Sequence, residues 1–591
     1  MLITSKLIED SVGPESRTKK ISLEITGTSH HPTLISKKNN HELVAIGTRE
    51  YISETTNALS NDIKFISNDF VDIKFEYQGA LILCDNSRGK IYIHSDILGL
   101  IPVYWQVSEN TISISDSLYQ LYSACPGEVD EVGVIEFMRF GYTIGQRTFF
   151  RNIKCLRPGE TLRFDYDSNT VALRDLSHLW KEPLRWERKK IIEVGCELMT
   201  EACRPMADTM LMISAGWDSR ALLAGAFAAG VGDSIKTYHH GDLESRECRI
   251  VKKMTARCKL PLMLHQIEPA DFDNDFLARR FQIYNSVVFP HWHVASRMTT
   301  DSGHKIESVS AGIIGENIGG HFGSPTILSG WKKIASTLTS MLKAPSFHSP
   351  KNPRETENLL EVTTYFHQSP YDIPWYIKAE IWQERFSSIH EQVNGDIEQT
   401  MNRYVQRGIE TREAIIEAFL TEHLGSKYWA TQLHSAATFK PILAPFGHRS
   451  LIDYSSRVPY EFKITNTLTQ AIIKRLYPRL LEFPTAAVLC KAKNSILLQE
   501  SSRIVRKASE QGLKVTSRLI RGKTPQFRLG WLNFDFLEQK PVVHELIHGL
   551  SSPLWDKEKM EHFFNYNKQV SGHDIMNMLL KIKTLDLFKI E

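Results

Sequence analysis

The stretch Thr209-Met210-Leu211-Met212-Ile213-Ser214-Ala215-Gly216-Trp217-Asp218-Ser219-Arg220, continuing as Ala221-Leu222-Leu223-Ala224-Gly225-Ala226-Phe227-Ala228-Ala229, decides the fold. A continuous apolar run ends in serine, alanine and glycine, and an alanine- and leucine-rich segment follows at once. It reads as a buried strand, a tight turn and a helix. Small residues at such a turn gather backbone N–H groups where the helix begins, an arrangement that favours an anion, with phosphate the first candidate. The lysine of the G-x-x-x-x-G-K-[ST] loop is missing. The anion would therefore be held by main-chain donors, the Ser214 and Ser219 hydroxyls and a magnesium ion on Asp218. The same strand-turn-helix form also arises in α/β proteins through packing alone.

The bulk of the chain narrows the alternatives. Its 591 residues call for two or more domains. A formal net charge of +3, with both signs scattered, supplies no extended positive face for DNA or RNA. The cysteines Cys84, Cys125, Cys155, Cys196, Cys203, Cys248, Cys258 and Cys490 are widely spaced and form no C-x-x-C pair, which fits reduced thiols. The opening residues carry no sustained apolar core, and no later segment approaches the ~18 uninterrupted apolar residues of a membrane span. The expectation is a soluble, unexported, cytoplasmic protein that engages neither nucleic acid nor membrane.

From about Ile21 to Leu176 short β-like runs dominate, among them Ala80–Cys84 and Lys90–His94, so the N-terminal domain is expected to be rich in sheet. The stretch His178–Lys190, with Trp180, Pro183 and Trp186, is the expected domain junction, and a helix begins near Ile191. After the turn, Ser234–His239 reads as a strand, Glu244–Lys259 as a helix and Pro261–His265 as a strand, an alternation that demands a parallel sheet with helices on both faces. Beyond about Pro350 the pattern is largely helical, including Glu410–Glu422 and Thr467–Tyr477.

The turn Ser214–Ser219 resembles the SGGxDS pyrophosphate loop of the asparagine synthetases and their relatives, with Ala215 where that family usually has glycine. Asp96–Trp105 and Ile112–Leu118 resemble segments of class II glutamine amidotransferase domains. Phe140–Ile153 with Leu156–Glu160 is similar to the connection between the glutaminase and synthetase halves. Val309–Gly320 resembles the S-G-E-G-x-D-E motif, with Gly312 at its first glycine, Ile313 at its first glutamate and Glu316 at its metal-binding aspartate. Lys440–Phe446 with Arg449–Asp453 looks like the family's R-x-P-F-L-D region.

The resemblance runs from about Asp96 to Ile464 and implies a mixed α/β and α+β architecture. A sheet-rich, degenerate glutamine amidotransferase-like domain would span 1–178, and a Rossmann-like ATP-pyrophosphatase domain with a helical extension 191–591. It implies ATP and Mg2+ as cofactors. Adenine would lie beside Leu211–Ile213, and the triphosphate over Ser214, Ala215, Gly216, Trp217, Asp218 and Ser219, near Gly312. Magnesium would sit between Asp218 and Glu316, the two residues assigned to catalysis. Lys491 and Lys493 are the candidates for the lysine that relatives use to stabilise an adenylate.

A class II glutaminase takes its nucleophile from a cysteine directly after the initiator methionine, whose freed amine is the base. The second residue here is Leu2, and Cys84 lies in a strand-like run as a packed thiol, so no glutamine hydrolysis is expected. β-Lactam synthetases and lasso-peptide cyclases share that loss and use an amine already in the substrate. Free ammonia or a separate glutaminase is the other source. His239-His240 and His291-Trp292-His293 lack a third ligand at informative spacing and read as packing or substrate contacts. Glu244 and Glu247 lie near the second strand's end, as nucleotide or substrate contacts or as helix-start acids. Trp217 either stacks on a ligand or seals the site.

The sequence therefore points to an AMP-forming, ATP-dependent carbon-nitrogen ligase acting on a small-molecule or peptide carboxylate, with a separate amine donor or biosynthetic partner protein as a further partner. The alternative is a nucleotide-binding or scaffold protein that keeps the fold without turnover.

Overall fold

The computed structural model describes residues 1–11, 17–26, 31–38, 41–61, 65–177, 179–180, 182–278, 295, 305–320, 375–386, 388–409, 411–437, 440–521, 528, 541–566 and 572–590. In the N-terminal part, strands β1 (Leu2–Ser11), β2 (Arg17–Thr26), β3 (Thr33–Lys38), β4 (His41–Gly47), β5 (Ile66–Ser67), β6 (Phe70–Val71) and β7 (Gly79–Asp85) are followed by β8 (Lys90–Ser95), β9 (Tyr104–Ser108), β10 (Thr111–Ser115), β11 (Lys154–Cys155), β12 (Glu160–Asp165) and β13 (Thr170–Asp175). They build two antiparallel sheets, ordered β11-β9-β10-β1-β2 and β13-β12-β8-β7-β4-β3, beside the small β5-β6 pair.

Strand β7 shows why the runs Ala80–Cys84 and Lys90–His94 are apolar on both sides of the pleat. Its Ala80, Ile82 and Cys84 join Ile91 and Ile93 of β8 in the same core as Ile3, Ile112 and Ile114 of the other sheet. Leu81 and Leu83 point the opposite way, with Leu43 and Ala45, onto Tyr51 and Ala58 of α1 (Arg49–Ser60). A sheet covered on both faces loses the polar half of its alternation.

Helices α2 (Leu118–Ala124) and α3 (Glu131–Phe140) follow, and α4 (Arg188–Cys203) opens the second half. Strands β14 (Thr209–Met212), β15 (Lys236–Gly241), β16 (Leu262–Gln266), β17 (Ser308–Ser310) and β18 (Ile442–Leu443) form a wholly parallel sheet ordered β16-β15-β14-β17-β18. Counted from β14 the order is 3-2-1-4-5, a doubly wound arrangement whose direction of build-up reverses between β14 and β17. Helices α5 (Trp217–Ala228) and α6 (Arg246–Cys258) connect its first three strands. The expected elements Ser234–His239, Glu244–Lys259 and Pro261–His265 appear within two residues of those limits, and the helix expected near Ile191 begins at Arg188. Ser245, for example, starts α6 by accepting a hydrogen bond from the Cys248 N–H at 3.1 Å.

The helix expected over Glu410–Glu422 differs more. Thr411 caps an α-helix over Arg412–Leu420, which passes without a break into a π-helical stretch, Thr421–Trp429, and then Ala430–Ala437. The second expected helix runs Thr467–Leu476. Glu410, His178, Lys181 and the residues around Pro350 lie outside the described residues. The rest of the expected junction is fastened to the second half. Leu184 N–H donates to Arg457 O at 2.7 Å, and the Trp180 indole N–H meets the Glu417 carboxylate at 3.3 Å. The helix Gly572–Leu587 returns to α3, and Phe588 packs edge-on against Phe149 and Phe150. No described helix is long and apolar enough to cross a membrane.

Glu417 and Lys463 form a fully buried ion pair with N–O distances of 2.7 and 2.6 Å. Removing one partner strands the other charge. Glu417→Ala should lower stability by about 3–5 kcal/mol, read as a shifted denaturation midpoint, while Glu182→Ala, in the same junction, should change it little.

Candidate functional site

Beyond the carboxyl end of β14 the chain bends through Ile213–Gly216 into α5, and the bend is held by its own side chains. Ser219 Oγ accepts from the Ser214 N–H at 3.1 Å and donates to Ser214 O at 3.0 Å, while Ser214 Oγ accepts from the Gly216 N–H at 3.1 Å. Glu247 Oε1, from the first turn of α6, accepts from the Ala215 N–H at 3.0 Å. The N–H groups of Ser214, Ala215 and Gly216, expected to hold an anion, each donate within the protein. The first turn of α5 has no side-chain cap at Gly216.

Arg220 clamps the bend from below. Its guanidinium, buried to 0% exposure, donates to Ala215 O, Leu480 O, Phe483 O and Pro484 O. Burial pushes its pKa down to about 10, so it stays charged at neutral pH. Sequence reasoning gave it no part, since three of its four carbonyl partners lie more than 250 residues away.

A second bend follows β17, the parallel neighbour of β14. A Cβ on Gly312 would fall 2.8 Å from Asp218 Cβ, and one on Gly315 2.6 Å from Asp218 Oδ1. Two glycines thus let this bend close onto Asp218. Ile314 between them adopts φ +67°, a left-handed conformation that is strained for a β-branched residue. The chain then enters the short turn Glu316–Gly319.

Asp218 and Glu316 line one cavity of about 320 Å³ with Ile213, Ser214, Ser219 and Gly312. Burial and then the Asp218 charge hold the Glu316 carboxyl well above its ordinary range, and burial pushes Asp218 up to about 7. Glu316 Oε2 is enclosed and has no hydrogen-bond partner among the described residues. No lysine or arginine lines the cavity among the described residues, whereas Glu247 adds a third carboxylate. Two coupled carboxylates and an orphaned oxygen suit a hard divalent cation with oxygen ligands, so the residues fit magnesium.

Other assigned residues fall elsewhere. Leu211 is wholly buried within β14, and Ala215, Gly216 and Trp217 lie in the bend without lining the cavity. Trp217 packs partly buried against the core. Lys491 and Lys493 both pair with Glu482 at the surface, at 2.8 and 2.9 Å, and reach no part of the cavity. Glu244 is exposed and pairs with Arg528.

His239 and His240 line the cavity, and burial holds His239 neutral with a pKa of about 4, its Nδ1 2.9 Å from Ile213 O. His291 and His293 lie outside the described residues. Trp429 and Gln432, from the irregular helix, complete the wall. No local sequence pattern could have found them.

A larger cleft of about 780 Å³ lies between the halves, but its Arg147, Arg157 and Arg403 already pair with Asp130, Glu160 and Glu422. In the N-terminal sheets, Cys84 is wholly buried and its thiol is pushed up to about 12, unsuited to nucleophilic attack at neutral pH.

Residues 73–175 match the glutamine amidotransferase domain family. No curated protein matches the chain. Among solved structures, glutamine phosphoribosylpyrophosphate amidotransferase from B. subtilis, complexed with ADP and GMP, aligns at 10% identity over 53% of this chain and 75% of its own, with a TM-score of 0.17. A structure described as the allosteric regulatory enzyme of purine biosynthesis aligns at 8% identity over 45% of this chain and 74% of its own, also at 0.17. Likenesses this slight carry no argument.

The raised Asp218 pKa gives a pH signature. An unfolded aspartate titrates near 3.8 and the native one near 7, so the native state binds the extra proton between these values. This contribution to stability is complete below about pH 4 and is lost as pH rises through 7. In melts, Mg2+ should stabilise the wild type more at pH 8 than at pH 5, and Asp218→Asn should remove most of that difference. Gly315→Ala, which displaces Asp218, should weaken the Mg2+ response without removing the fold.

Proposed function

We propose that the chain is an ATP-dependent ligase that activates a carboxylate as an acyl-adenylate, releasing pyrophosphate, and forms an amide as an amine displaces AMP. The observation that carries this reading is the convergence of Asp218 and Glu316, from the ends of adjacent parallel strands, on one anionic cavity at the point where the sheet order reverses.

In this reading Asp218 and Glu316 hold magnesium, which would screen the charge that builds on the leaving pyrophosphate. The Ser214 and Ser219 hydroxyls and the uncapped first turn of α5 orient the phosphates. Arg220 keeps the bend from yielding as charge moves across it. Ile313, apolar and lining the cavity, stands where the resembling family has a glutamate, so the acceptor and its activation differ from asparagine synthesis. The amidotransferase-like domain is given no glutaminase role, on the strength of the buried Cys84, and the nitrogen comes from a substrate amine, ammonia or a separate donor.

A second reading, a nucleotide-binding or scaffold protein without turnover, is favoured by one observation. The Glu247 carboxylate already occupies the Ala215 N–H that a phosphate would use.

Incubation with ATP, Mg2+ and a panel of carboxylates and amines should yield AMP and pyrophosphate in equal amounts, and ADP would reject the chemistry. Asp218→Asn and Glu316→Gln should each slow turnover about 10²–10³-fold, the size of losing one preorganised electrostatic contact. Tight ATP binding by calorimetry, with no AMP across the panel, selects the second reading.

A further inference from the structure

Far along the chain, His544-Glu545-Leu546-Ile547-His548 places two histidines four residues apart, on one side of the helix Pro541–His548. Val543, Leu546 and Ile547 bury the helix's apolar side, which turns both imidazoles outward with side-chain exposures of 64% and 57%. The neighbouring helix Lys557–Tyr566 brings Glu561 between them. Glu561 Oε1 lies 2.8 Å from His544 Nδ1 and 2.8 Å from His548 Nε2, and the two ring centroids are 4.0 Å apart.

These contacts are not those of an ordinary ion pair. An imidazolium aims its N–H at the carboxylate oxygen, yet Oε1 is enclosed and accepts no aligned hydrogen bond. Two ring nitrogens and a carboxylate oxygen instead all lie within 4.8 Å of one another, close enough to ligate one ion. We propose that His544, His548 and Glu561 form a binding site for a divalent transition-metal ion, zinc foremost. Two imidazoles and one carboxylate are a zinc-type donor set, and imidazole disfavours magnesium or calcium. Three protein ligands leave a position for water, which the exposed setting supplies. The ion fastens the helices Pro541–His548 and Lys557–Tyr566 across the turn between them. Glu545, exposed on the helix, is given no ligating role. The site shares no residue with the Asp218–Glu316 cavity and stands whether or not the ligase reading does.

The full chain, freed of any histidine tag, stripped with chelator and re-equilibrated with Zn2+, should hold about one equivalent of zinc by elemental analysis that His548→Ala and Glu561→Gln each lose. By calorimetry with Zn2+ alone, each variant should bind weaker by more than the ~10–100-fold typical of losing an outer partner. His41→Ala, an exposed histidine in β4, should bind as the wild type does. All three substituted residues reach solvent, so circular dichroism should match throughout, and zinc should raise the melting temperature of the wild type but of neither site variant. Zinc that persists equally in His548→Ala and Glu561→Gln, as thiolate-bound metal would, or an absence of zinc from the wild type, overturns the proposal.

Discussion

Asp218 rests against two glycines with no room for a methyl group, and the geometry of the cavity depends on that contact. Parallel pairing of β14 with β17 brings their carboxyl ends level, and the absent side chains at Gly312 and Gly315 let the second bend settle onto the first. The cost is electrostatic: two acids share a poorly solvated space lined by no lysine or arginine among the described residues. Neighbouring structure sustains the cost. Arg220 locks the bend from beneath, Glu247 secures the Ala215 amide, and the strained Ile314 turns the chain so that Glu316 arrives opposite Asp218. In the proposed reading a divalent cation would relieve that cost.

The two halves are not independent bodies linked by a tether. Lys427 is half-buried and donates to Thr143 O and Gly145 O across the boundary, His434 bonds to Leu100 O, and Gly447 approaches Gln78 and Leu98. The π-helical stretch that carries Lys427 leads directly to Trp429 and Gln432 on the cavity wall. One irregular helix therefore reaches both loops of the amidotransferase-like half and the wall of the carboxylate cavity. A π-helical turn is wider than an α-helical one, and its persistence here is paid for by the contacts it makes on both sides.

Much of this architecture was legible in the sequence because it is written locally. The apolar run Thr209–Ile213, the β-α-β-α-β alternation after it and the paired motifs around Asp218 and Glu316 each sit within a few residues, whereas the strand order β16-β15-β14-β17-β18 is set by packing that no local pattern carries. What escaped notice depends on residues distant in sequence. Arg220 is an ordinary helix residue until the carbonyls of Leu480 and Phe483 appear beside it, and Trp429 and Gln432 carry no pattern of their own. The N–H groups of the bend looked available because Glu247 is 32 residues away. His544 and His548 had the right spacing, but only Glu561, on another helix, turns that spacing into a cluster.

Lys581, in the helix that returns to α3, donates to the carbonyl of Met138 across 443 residues of chain. A ribosome making this protein exposes α3 and its surroundings long before the helix that packs on them exists. The first half must wait, its aromatic face around Phe149 and Phe150 uncovered, until the second is nearly complete. Evolution of either half is bound by that delay, because a fragment ending at the junction would carry an adhesive surface into the cell.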